Sequence, residues 1–186
     1  MATMSESQVT IGAASATGAI FVAPKTATLP TDATTTLGEA FTLLGFTSDA
    51  GVQISESSST ETIRAWEGRA EVYNVRSEYT ESISFTPIQC NADVAKLTWG
   101  ADKVAVAETT GNLTISHHGG TLEPVAIVIE TTPRAGIVKR YVGTFQLTER
   151  GEVTMDGTQA DGRQLTFNAI ADAGGVTMRE YVAFTA

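Results

Sequence analysis

Apolar and polar positions alternate with a two-residue period over much of this chain, the pattern of strands with one buried face. Between residues 79 and 87, Tyr79, Ile83 and Phe85 fall on one side, and Glu78, Thr80, Ser82, Ser84 and Thr86 on the other. Residues 137–147 alternate through Tyr141, Phe145 and Leu147. Residues 124–132 (PVAIVIETT) are instead continuously apolar at their centre, which predicts a strand buried on both faces. Residues 18–23 read as a strand ended by Pro24.

Turn chemistry divides the rest. Residues 44–55 read as a hairpin turning at Ser48-Asp49-Ala50-Gly51, followed by a flexible SESSST tract at 55–60. Residues 62–66 and 69–76 flank a Glu67-Gly68 turn. Residues 164–171 and 176–184 read as a terminal hairpin about Asp172-Ala173-Gly174-Gly175. Residues 102–107 and 112–117 are short strands, and residues 37–44 a short helical turn. One stretch has full helix punctuation: Asn91 can cap it, Asp93 favours its positive end, Val94 and Leu97 form an apolar stripe, and Gly100 can end it. The expected fold is mainly β, a sandwich or partly closed barrel with one flanking α-helix. Residues 1–17 are expected to be a flexible arm, and residues 18–186 a single β-domain with long loops. The polar connection 25–36 lacks periodicity and is expected to be mobile in a lone subunit.

Charge narrows the function. The chain has 12 Lys and Arg against 21 Asp and Glu, a net charge of −9, and its basic residues are scattered. This argues against binding nucleic acid by neutralising phosphates. No apolar run long enough to span a membrane occurs.

Candidate chemistry is sparse. His117 and His118 are adjacent, so on a strand they point to opposite faces and do not readily share a metal. The loop from Asp156 to Gly162 has two Asp-Gly steps but lacks the ligand spacing of a calcium loop. Cys90 has no evident base beside it and reads as a small buried or half-buried thiol. Trp66 and Trp99 suit a core or an interface better than a ligand platform. No phosphate loop, nucleophile elbow or dinucleotide fingerprint is present. No catalytic residue, cofactor or metal is expected.

The order of segments between Gly18 and Arg76 carries a resemblance. A G-A-I-F-V-A-P strand precedes an L-P-T-D linker, an L-G-E-A-F turn, an L-G-F-T-S-D-A-G-V segment and an I-R-A-W-E-G strand end. This order resembles the front half of the major tail tube proteins of long-tailed, siphovirus-like bacteriophages and prophages. The likeness continues more loosely through Phe85-Thr86-Pro87, the helix at 91–100 and the closing strands. It implies two packed antiparallel sheets with a flanking helix. It implies hexameric rings stacked into a virion tail tube that conducts DNA, made in the bacterial host cytoplasm, with no enzymatic activity. Tape measure protein and tail terminator or tip proteins would be partners, and DNA would pass without specific binding. Glu78, Thr80, Ser82, Ser84 and Thr86 are the candidate channel-lining positions. Lys25, Thr31, Asp32, Asp49, Glu56 and Ser57 are the candidate contacts between rings. The competing reading is a monomeric β-sandwich binding module, for example for carbohydrate, with Trp66 or Tyr73 as its platform.

Overall fold

The computed structural model describes residues 10, 12–15, 18–134 and 137–184. Its strands are β1 (Ile20–Pro24), β2 (Thr42–Leu43), β3 (Thr47–Arg64), β4 (Glu71–Pro87), β5 (Val104–Val106), β6 (Leu113–Ile115), β7 (Val125–Arg134), β8 (Ile137–Arg150), β9 (Leu165–Ile170) and β10 (Met178–Phe184). One α-helix, α1 (Ala92–Trp99), follows β4. The fold is mainly β, with two antiparallel sheets and one helix, as the patterning predicts.

The large sheet runs β2-β1-β7-β8-β9-β4-β3, with β10 also on β8. Its two end strands, β2 and β3, are joined by Leu44, Gly45 and Phe46 alone. So short a link forces the ends together, and the sheet curls. Accordingly Ile20 of β1, Ile127 of β7, Phe145 of β8, Phe167 of β9 and Phe85 of β4 all enter one core. Phe85 and Phe167 stack at 5.5 Å between ring centroids. The helix covers one pole, with Leu97 on this core and Val94 packed against it. The β5–β6 ribbon is the second sheet.

Helix α1 starts as its sequence dictates. The Asn91 side-chain oxygen accepts from the Val94 backbone amide at 2.7 Å, and the Asn91 side-chain Nδ2 donates to the Leu44 carbonyl at 2.9 Å. That second bond ties the cap to the link that closes the sheet. Gly100 ends the helix at φ 99°, a conformation that suits glycine.

Strand β7 is buried on both faces, from Ala126 to Ile129. Ile127 and Ile129 face the core. On the opposite face, Glu130 lies in register with Arg140 of β8. Arg140 is 4% exposed. Its Nε donates to Glu130 at 2.9 Å, and its Nη1 donates to the carbonyls of Asp32 and Thr35, each at 2.9 Å. The loop at 25–36 is therefore clamped to the sheet, with Ala33 buried, where the sequence suggested mobility. Arg140 gave no local signal for this clamp, because the two loop carbonyls it binds lie more than a hundred residues away.

Four further expectations are corrected. Ser48-Asp49-Ala50-Gly51 is not a hairpin turn; it is a register irregularity within β3, between Thr47 and Val52. The SESSST tract is strand, because β4 supplies hydrogen-bond partners the tract lacks alone. Residues 37–41 form a turn leading into β2, not a helical turn. The last two strands are not a hairpin. Both run antiparallel to β8, β9 on Thr144–Arg150 and β10 on Ile137–Gly143, so the Asp172–Gly175 turn is an excursion from a single strand line. Of the expected N-terminal arm, only residues 10 and 12–15 are described; Ala14 bridges to Thr131, and the Thr132 amide donates to Ala13.

Candidate functional site

The five candidate lining residues share one face of β4. In the base of the β3–β4 hairpin, Ser82 lies between Ser55 of β3 and Asn168 of β9, and Ser84 between Gln53 and Thr166. Polar side chains thus meet across three strands on the face opposite Ile83 and Phe85. Farther out, Thr80 pairs with Ser57 and Glu78 with Ser59. Ser82, Ser84 and Thr86 are half-buried, while Glu78 and Thr80 are exposed. Alternation alone places this face; its use depends on what lies against it.

Beyond Glu81 the hairpin leaves the barrel as an arm. From Glu71 to Glu81 is about 34 Å of strand, at about 3.4 Å per residue. Both strands are exposed there. Ser77 is the extra residue of a bulge, since Ser59 pairs with Glu78 but Thr60 with Arg76. The bulge switches the parity of β4. Val75 and Tyr73, in register with Glu61 and Ile63, therefore continue the face of Glu78 and Thr80. The polar column runs into an exposed apolar patch of Ile63, Tyr73 and Val75, with Tyr73 65% exposed. At the tip, the Ala65 amide donates to the Ala70 carbonyl at 2.8 Å, and Trp66 is 95% exposed. This removes Trp66 from the core. Sequence reading missed the patch because one unpaired residue cancels the period that alternation assumes.

The candidate contact residues are spread over separate elements. Lys25, Thr31, Asp49, Glu56 and Ser57 are exposed. Asp32 organises its own loop: its carboxylate accepts from the Thr35 hydroxyl and from the amides of Thr35 and Thr34. These bonds, the hydroxyl foremost, lower its pKa from 3.8 to about 2. Glu81, at the root of the arm, is 6% exposed and accepts from the Thr177 hydroxyl. At the barrel mouth, Glu180 accepts from Lys139 and from the Tyr141 hydroxyl, each at 3.1 Å. The bond to Glu180 raises the Lys139 pKa, whereas burial chiefly raises that of Tyr141.

The remaining sequence candidates do not converge. His117 stacks on Trp99 at 3.9 Å, while His118 Nδ1 accepts from the Gly120 amide. Arg150 and Arg163 lie over the Trp99 ring at 4.8 and 5.7 Å, so this tryptophan fastens the helix pole. Asp156 accepts from Thr158 and Gln159 in a turn. Cys90 is exposed, not buried, because it lies between β4 and the cap of α1. Among the described residues, no cluster of His, Cys, Asp or Glu is arranged to hold a metal, and no helix is long and apolar enough to cross a membrane.

What stands out is polar sheet surface and a projecting arm, the features of a protein that meets other protein. A family model described as phage tail tube protein matches residues 2–183. The chain belongs to the phage tail tube protein family. It is a structural protein of the phage tail, and membership implies self-assembly into a tube and a place in the virion. No curated protein matches the sequence.

Proposed function

We propose that six copies of this tail tube protein form a ring, that rings stack into the tail tube, and that DNA passes through the channel into the host. The observation that carries the reading is the polar face of β3, β4 and β9. Its partly buried Ser82, Ser84, Asn168 and Thr166 are chemically suited to a water-filled lumen that cannot grip DNA. With a net charge of −9, the assembled wall repels phosphate. The clamped loop carrying Lys25, Thr31 and Asp32 meets the next ring, as do Asp49, Glu56 and Ser57. The protein acts as a wall and has no catalytic role. Tape measure protein and tail terminator or tip proteins are its expected partners.

Electron microscopy of tails tests the ring, with six subunits per layer expected. A Glu78→Lys variant tests the lining. Intact tubes that retain DNA or eject it slowly are expected, and normal ejection removes Glu78 from the channel. The exposed Trp66 and Tyr73 favour one other reading, a monomeric carbohydrate-binding module. A protein found only as a monomer, absent from tails and retained on a carbohydrate column through Trp66 or Tyr73, would favour that alternative over the tube.

A further inference from the structure

We propose that Trp66, at the tip of the arm of one copy, seats in an apolar cavity at the opposite pole of a second copy, and that this head-to-tail contact links successive rings. The inference rests on the stacked-ring reading and names a contact within it.

The cavity has a volume of about 690 Å³ and lies between β1, α1 and the segment leading into β7. Its apolar lining includes Val22, Pro24, Leu44, Leu97, Leu122 and Val125. Burying a tryptophan removes roughly 150–250 Å² from water, and such side chains dominate interface energetics. Trp66 is the most exposed large apolar side chain among the described residues, held out by a closed turn.

Topology places the two features at opposite ends. Pro24 ends β1 in register with Val125, which begins β7. Helix α1 follows the end of β4, whereas Trp66 precedes its beginning. The cavity is thus at the helix pole, and the tip lies a full strand length away, beyond the other pole. One copy cannot fill its own cavity. A knob and a hole at opposite ends make a heterologous contact that propagates along the strand axis.

Charge points to the same occupant. Asp93, Asp102 and Glu123 line the cavity together with one cation, Lys96, which pairs with Asp93. Glu123 forms no ion pair among the described residues, and neither does Arg69, which sits in the tip turn at φ 55°. The tip turn carries Glu67 as well as Arg69, and the complementary arrangement sets Arg69 against Glu123 on a cavity edge where carboxylates outnumber cations. A second copy of this chain supplies that chemistry.

The test uses the full chain assembled in tails or at high concentration. Trp66→Ala is expected to fold with unchanged melting but to need at least about tenfold more protein to form tubes. Stacking at the unmodified concentration overturns the contact while leaving the tube reading intact. A Cys90→Ser, Arg69→Cys, Glu123→Cys variant keeps Trp66 and is expected to give a ladder of disulfide-linked multimers when its tubes are oxidised. Normal tubes without a ladder overturn the contact. If that variant forms no tubes, the Trp66→Ala concentration dependence decides. An unmodified protein that never stacks, even in tails, overturns the tube reading itself.

Discussion

The two ends of the β3–β4 hairpin obey opposite rules within one pair of strands. At its base, Ile83 and Phe85 are fully buried, and β9 pairs along β4. In the arm, from Glu71 to Thr80, every residue of β4 is exposed, including Val72, Tyr73 and Val75. A two-stranded ribbon is marginal alone in water, because it has no second layer on which to bury apolar groups. The base therefore holds the arm in register, and the arm offers surface that the subunit does not use. That contrast separates residues that make the fold from residues available to a partner.

The largest test of this contrast compares two positions on β4. Phe85→Ala should cost about 3–5 kcal/mol of stability, because it opens a cavity against Phe167. Val75→Ala should change stability by less than about 0.5 kcal/mol while weakening assembly. Urea unfolding of the two variants measures the difference, and equal losses would break the distinction between base and arm.

A smaller effect is expected at Arg140, which holds the 25–36 loop on the barrel. Arg140→Ala leaves Glu130 without its partner and releases two loop carbonyls. Because Glu130 keeps some access to water, the cost should be about 2–4 kcal/mol, at or below the usual range for breaking a buried pair. Hydrogen exchange should quicken in the loop. Unchanged exchange would mean that other contacts hold it.

The smallest effect concerns pH. The depressed pKa of Asp32 means that its loop bonds contribute fully above its unperturbed value of 3.8 and are lost as pH falls through about 2. Thr34 and Thr35 amide exchange should lose protection in that acid window, and Asp32→Ala should remove the dependence. Among the described residues, no carboxylate of the arm is bonded to successive backbone amides, so its exchange should not follow this titration.

Local sequence carried the parts governed by nearest neighbours. The Asn91 cap, the Gly100 stop, the doubly buried β7 and the Ile83–Phe85 face all follow from side-chain period and backbone preference. The polar row from Glu78 to Thr86 was legible in the same way. The flexible reading of the serine tract failed because strand pairing, not composition, supplied its backbone partners. The terminal hairpin failed because a turn motif fixes a change of chain direction locally but does not choose the strand beside it.

The sequence by itself determined a β-rich chain with one capped helix, one all-buried strand, few basic groups and an order of segments like that of a tail tube protein. Only the tertiary structure decided that the ends of the sheet meet, that Arg140 clamps a loop remote in sequence, and that a bulge at Ser77 puts Tyr73 and Val75 beside Glu78. The physical reason is range. Caps and alternation are set within a few residues, whereas closure, clamping and register depend on groups brought together only after the chain has folded.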